Sequence, residues 1–292
     1  MSDMPNLKHL IPESRKLLGS TISDLLNKFL TFNNKTLIMF DIETLGLNPS
    51  FDYEQITELA AYAFCGNSKK LIDKINFKVK LSETATEFLN NNDSIQRYNW
   101  EKRQLKRGKT AFTDPNEILK MTRYHEIDSE IISEQFAIDK FYKFVNNFDK
   151  PILVAHNADF DVKFVFTRGN IYQLNFPFCE ILDTLRLSQF FFVPLVETLQ
   201  KTKAVELYES LSRENKKGIH ISSRLGDLAK SFKIDATSWH SAKADVKMMN
   251  EVMFCIIDFL KKHEKTDITL AQEKAIKKTY KARNYQRKRK TK

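Results

Sequence analysis

Short apolar runs of strand length alternate with helical patterns along most of this 292-residue chain. LIMFDIET (37–44) and QITELAAYAF (55–64) are compact apolar runs, and INFKVKL (75–81) switches between apolar and polar at every step, which predicts three strands at short spacing. Ile132 to Val145 reads as a helix. PILVAH (151–156) then predicts a buried strand, a helix runs from near Asp159 to Gly169, and CEILDT (179–184) predicts a further strand. Leu225 to Phe232 is a short helix, and Val246, Met249, Met253, Ile256, Ile257 and Leu260 mark one face of a long one. In the leader, Ile22, Leu25, Leu26, Phe29 and Leu30 line one helix face, with Ser20 or Thr21 placed to cap its start. Early strands followed by strand–helix–strand–helix predict an α/β domain, a mixed sheet flanked by helices. Only seven glycines occur, so Gly46, just after the first strand, is expected to answer a backbone need.

Composition narrows the function classes. Hydrophobic residues make up 42% and charged residues 29%, an ordinary globular balance that argues against general disorder. The longest apolar run, Leu59 to Cys65, is far short of the roughly 20 residues of a membrane span. The first residues, MSDMPNLKHLIPES, lack a basic-then-apolar signal layout, so a cytoplasmic protein with no membrane partner is expected. Cys65, Cys179 and Cys255 lie far apart without zinc-like spacing and are expected as buried, reduced thiols.

Charge adds a location. The formal net charge is +10, and residues 261–292 hold 13 Lys/Arg against 3 Asp/Glu, so residues 1–260 carry 34 of each sign and are neutral. A tail ending RNYQRKRKTK suits phosphate backbones or another acidic surface; in a nucleated host RKRK also has the form of a nuclear import signal. RYNWEKRQLKRGK (97–109) is a second basic stretch. There Tyr98 and Trp100 stand beside Lys102 and Arg103, a pattern that suits stacking on bases and gripping phosphates of a single strand, or a solvated helix packed by its aromatics.

The strongest chemical signal lies in three acidic centres. Asp41 and Glu43 follow LIMF at once, and residues two apart on a strand share a face. Two carboxylates at a buried strand end repel and are costly to desolvate unless a cation sits between them. VAHNADFD places His156 and Asn157 at a strand exit, with Asp159 and Asp161 opening a helix that Phe160 and Phe164 anchor to the core. In WHSAKADVKMM, Ser241 is placed to cap the long helix and Asp245 sits in its first turn. His240 and Asp245 would be about 500° apart on one helix, so His240 is expected in the preceding loop. Carboxylates without cysteine ligands suit Mg²⁺ or Mn²⁺, and two such ions about 3.5–4 Å apart form the clamp used for in-line displacement at phosphorus. A nearby His of near-neutral pKa suits a general base.

The order FDIETLGL, AHNADFD, HSAKAD resembles the three motifs of the DEDDh 3′–5′ exonucleases, over roughly residues 36–262. That group includes the proofreading subunit of bacterial replicative polymerases, RNase T, oligoribonuclease and phage enzymes. His125 in RYHEID lies where many relatives have a His-Gly-Ile turn, with Glu126 here in place of Gly. The resemblance implies an RNase H-like fold with a five-stranded mixed sheet. It implies Asp41, Glu43, Asp161 and Asp245 as ligands of two Mg²⁺ or Mn²⁺ ions and His240 as general base. The spacing HxAxxD favours the His branch over the related branch with Tyr four before the Asp, since position 241 is Ser. Thr44, Leu45, Gly46 and Leu47 would approach the 3′-terminal nucleotide, with Leu47 as a wedge, and Asn157 is a further substrate or supporting contact. Asp183 sits where relatives have Asp-Thr or Asp-Ser, or simply caps the next helix.

The expected layout is an N-terminal helical extension (1–35), a catalytic domain (36–262) and a basic tail (263–292). The domain carries a basic insert at 84–120 and a helical insert at 189–218, the latter as a flap or partner site. The expected activity is metal-dependent release of nucleoside 5′-monophosphates from single-stranded or frayed DNA 3′ ends. The alternatives are a 3′–5′ exoribonuclease and a polymerase-associated proofreading or nucleic-acid-binding module, docked through the leader helix or the tail.

Overall fold

A computed structural model describes residues 32, 35–90, 130–199, 205–215, 218–236 and 241–263. The strands are β1 (Thr36–Thr44), β2 (Ile56–Cys65), β3 (Leu71–Val79), β4 (Glu130–Ile132), β5 (Ile152–Ala155) and β6 (Glu180–Asp183). They form one sheet in the order β4-β3-β2-β1-β5-β6. β2 runs antiparallel to β1 and β3, while β1 pairs parallel with β5, β5 with β6 and β3 with β4. This is a mixed α/β sheet as expected, with six strands rather than five because β4 adds an edge strand beside β3. Ile132 belongs to β4 rather than to the following helix, because Ser133 takes the N-cap and accepts from Phe136 N–H.

Alternation along β1 divides the core into two layers. Leu37 and Met39 pack on one face with Tyr62, Val154 and Leu182, whereas Ile38, Phe40 and Ile42 pack on the other with Leu59, Ala61 and Leu153. The second face is covered by α2 (Glu134–Asn146) and α3 (Ala158–Ile171), following α1 (Glu83–Asn90) in chain order. Phe164 of α3 is fully buried there, a burial worth about 1.5–3 kcal/mol. Phe160 packs against it at 5.1 Å between ring centres.

The first face is covered by a helical segment and two later helices. α4 (Thr184–Leu187) runs through a π-helical turn (Ser188–Phe192) into α5 (Val193–Leu199), followed by α6 (Val205–Leu211). A hairpin of β7 (Ser212–Asn215) and β8 (Gly218–Ile221) comes next, then α7 (Leu225–Ser231) and α8 (Ala242–Lys262). The described part of segment 189–218 does not stand off the body as a helical flap. Phe190, Phe191, Phe192, Leu195 and Val196 are buried in the same core as Met249, Met253 and Ile256 of α8, and the segment includes a strand. Of the cysteines, Cys179 is buried, while Cys65 and Cys255 are only part-buried; all three are free. Among the described residues no helix is long and apolar enough to cross a membrane. The leader helix 22–30, most of the basic insert and the tail beyond His263 lie outside the described residues.

Candidate active site

The alternation that buries Leu37 and Met39 carries Asp41 and Glu43 onto the same face, toward α8. Asp41 lies opposite Ala60 and Glu43 opposite Glu58, with a bulge between Glu43 and Thr44. α8 begins at Ser241, whose hydroxyl accepts from Ala244 N–H at 3.3 Å, and this cap places buried Asp245 in the first turn. Carboxylate oxygens of Asp41, Glu43 and Asp245 lie within 4.8 Å of one another.

Asp161 comes from the opposite layer and closes the site around the end of the sheet. Asn157 turns the chain out of β5 in a left-handed conformation (φ 80°), its N–H donates to Asp183 Oδ1 at 3.1 Å, and its carbonyl accepts from Phe160 N–H at 2.8 Å. α3 starts there, and its first turn presents Asp161, 3% exposed, with its carboxylate beside the Ile42 backbone amide, whose dipole favours the charged form. The side chain of Asn157 makes no capping bond, and Asp159 pairs with Arg186 instead of capping α3. Asp183 does cap the next helix, accepting from Leu185 N–H at 2.9 Å and Arg186 N–H at 3.3 Å.

The electrostatics follow from enclosure and crowding. Burial, then the charges of Asp161, Glu43, Asp245 and Glu58, push the Asp41 carboxyl well above the usual carboxylate range. Burial likewise raises Asp161 well above it, against the opposing pull of two backbone N–H donors and with Asp183 and Glu43 adding to the rise. Glu58 escaped the motif reading. Its signal was the one that marked Asp41, an acid set within an apolar strand. Its Oε1 accepts the Lys243 N–H at 3.4 Å, joining β2 to the first turn of α8. A divalent cation fits this donor set: oxygen donors only, brought together from β1, α3 and α8, and repelling one another without a counter-charge.

Beyond β1 the chain makes a tight loop. Thr44 Oγ1 donates to the Gly46 carbonyl at 2.6 Å, and Leu45 N–H donates to the Gln55 carbonyl at 3.0 Å. Leu45 is buried at 9% exposure, whereas Leu47 is open at 51%. Gly46 does not use its backbone freedom. A Cβ there would collide with the Glu54 side chain, whose Oε2 accepts the Asn48 N–H. His240 of the third motif, and Tyr98, Trp100, Lys102 and Arg103 of the basic insert, lie outside the described residues.

No family model matches the sequence. The chain is 26% identical over 214 residues to a DNA polymerase III PolC-type of Ureaplasma parvum serovar 3 (strain ATCC 700970), covering 73% of this chain and 11% of that protein. It thus spans about a tenth of that relative's length. Among solved structures it is similar to E. coli exonuclease I in complex with a 5cy-dA13 oligonucleotide. The TM-score is 0.44 at 17% identity, over 79% of this chain and 43% of that one. It is also similar to the nuclease domain of 3′hExo, a DEDDh family member bound to rAMP, with a TM-score of 0.40 at 10% identity over 77% and 93%.

Proposed function

We infer that the chain belongs to the DEDDh group of 3′–5′ exonucleases, and we propose that it hydrolyses DNA from single-stranded or frayed 3′ ends to nucleoside 5′-monophosphates. The observation that carries this is the meeting of Asp41, Glu43 and Asp245 within 4.8 Å, with buried Asp161 of α3 close enough for its charge to act on Asp41. Those four carboxylates would hold two Mg²⁺ or Mn²⁺ ions. When bound, the ions supply the positive charge that polarises the scissile phosphate and eases departure of the 3′ oxygen.

The chain's own residues do the rest. His240 directly precedes the cap of α8, and from there its imidazole takes the proton of the attacking water. The new bond joins that water oxygen to phosphorus, the P–O3′ bond breaks with its electron pair on O3′, and that oxygen takes a proton from solvent so that the shortened strand leaves with a 3′ hydroxyl. Thr44 and Gly46 stiffen the wall beside the last nucleotide, and exposed Leu47 wedges against its base. Asn157, exposed at the start of α3, faces the same end of the sheet as Asp161. Tyr98, Trp100, Lys102 and Arg103 extend the grip to the strand upstream. DNA is favoured over RNA because the basic insert and tail suit long backbones. The polymerase relative supports a second reading, a proofreading activity docked on a polymerase.

The test uses 5′-labelled single-stranded DNA and matched RNA, with Mg²⁺ or Mn²⁺ and with EDTA, for wild type and Asp41→Ala. The expected result is a metal-dependent ladder shortening from the 3′ end of DNA and lost in the mutant. A faster ladder on RNA would reassign the substrate. Nucleic-acid binding without any ladder, equal in both proteins, would replace the enzyme with a binding module.

A further inference from the structure

Behind the candidate active site lies a buried ionic cluster that the motifs do not contain. Glu134, the first residue of α2 and 5% exposed, faces Arg168 of α3, 4% exposed. Glu134 Oε2 accepts from Arg168 Nε at 2.9 Å, from Arg168 Nη2 at 2.5 Å and from the Tyr172 hydroxyl at 2.6 Å. Glu134 Oε1 accepts the Ile56 N–H at 2.8 Å. Arg168 Nη1 reaches the Phe51 carbonyl at 3.4 Å.

Ile56 is the significant partner. In β1–β2 the register runs Glu43 with Glu58, then Thr44 with Ile56, so Thr57 is the extra residue of a bulge placed directly beside Glu43. A bulge re-aims its neighbouring side chains, and this one is pinned from outside the sheet by Glu134 on one side and Gln55 on the other. Gln55 is tied through Nε2 to the Lys80 carbonyl at 3.0 Å and through Oε1 to the Ser82 N–H at 2.8 Å.

Stability alone does not account for the charges. A buried ion pair is often no better than apolar side chains of the same volume, because desolvation offsets the attraction. What apolar side chains cannot supply is a directional acceptor for Ile56 N–H and a donor for the Phe51 carbonyl. We propose that Glu134, Arg168 and Tyr172 are positioning residues that fix the bulge beside Glu43, and with it the reach of Glu43 toward Asp41 and Asp245. The inference rests on the reading of those carboxylates as a cation site.

The experiment compares wild type, Glu134→Gln, Tyr172→Phe and the double variant Glu134→Met with Arg168→Met. Mn²⁺ binding to the full chain without nucleic acid is followed by calorimetry, together with melting temperature, kcat and KM. The double variant should melt at or above the wild-type temperature yet bind Mn²⁺ about tenfold more weakly. It should lose kcat with little change in KM for the oligonucleotide, and excess Mn²⁺ should restore much of the rate. Glu134→Gln keeps an acceptor for Ile56 and should retain most of the affinity. Asp139→Asn, which breaks the exposed pair with Lys143, should change neither binding nor rate. A folded double variant with wild-type Mn²⁺ affinity overturns the proposal. Should the double variant fail to fold, Tyr172→Phe decides, since unchanged Mn²⁺ affinity there overturns it equally. Identical flat titrations for wild type and Asp41→Ala would instead remove the cation site itself, and the proposal with it.

Discussion

At the scale of single residues, the site is held in a state it would not choose without a counter-charge. An acid whose carboxyl is raised in the folded chain, as in Asp41 and Asp161, takes up a proton on folding. Its contribution is therefore most favourable below the unfolded value of 3.8 and declines as pH rises through the folded value. Once the pH has risen above that folded value, the metal-free protein should carry the full repulsion. Asp41→Asn is expected to raise the metal-free melting temperature at pH 8, by about 2–4 °C for each kcal/mol of repulsion relieved. Mn²⁺ should raise the melting temperature of the wild type but much less that of the variant. Activity should fall about a hundredfold or more, several kcal/mol of transition-state stabilisation being lost. Paired melting curves with and without Mn²⁺ check this, and a metal-free Asp41→Asn that melts below wild type would refute it.

At the scale of elements, the joint between β5 and α3 carries a second pH dependence of opposite sign. His156 lies at the exit of β5, with Nδ1 at 3.0 Å from Thr184 Oγ1. Burial lowers its pKa to about 4, outweighing the Ser223 carbonyl that favours the protonated ring. A base depressed in the folded state stabilises fully above its unfolded value of 6.5 and loses that contribution as pH falls toward 4. The wild type should therefore lose about 3 kcal/mol from this one residue across that window. Urea midpoints measured from pH 7 to pH 4 should drop more steeply for wild type than for His156→Gln, and parallel curves would exclude the assignment. The same joint shows what a sequence can reveal. Asp41, Glu43, Asp161 and Asp245 stood out because acids interrupt an apolar strand or sit in the first turn of a helix that follows an apolar strand or a cap, which are local signals. Ser241 was legible as a cap for the same reason. Glu134 and Arg168 were not, since on helices each resembles an ordinary surface charge and only the tertiary approach of α2 to α3 pairs them. Gly46 was noticed for the wrong reason, because the space it leaves is claimed by Glu54, eight residues on. β4, three residues long and paired only through its register with Phe77 to Val79, has too little period to read.

At the scale of the whole molecule, charge is partitioned as sharply as the core is. Residues 1–260 balance 34 basic side chains against 34 acidic ones, so the excess charge lies wholly in residues 261–292. A site built from carboxylates repels a polyanion at long range, and a balanced body offers little to offset that repulsion. On the proposed activity, the tail is expected to supply the long-range attraction for a strand whose chemistry occurs elsewhere. Each phosphate it neutralises releases condensed counterions, contributing a slope of about −0.7 to log K against log salt on a single strand. Deleting residues 264–292 removes 11 Lys/Arg and 3 Asp/Glu. The slope for a single-stranded 20-mer should flatten by at least about 2, the signature of three or more lost phosphate contacts. Turnover at saturating oligonucleotide should be retained, because none of the four carboxylates or His240 lies in the deleted segment. Fluorescence anisotropy over a salt series, alongside single-turnover rates, separates the two effects. An unchanged slope would assign the tail to another acidic surface, and a lost single-turnover rate would draw it into the site.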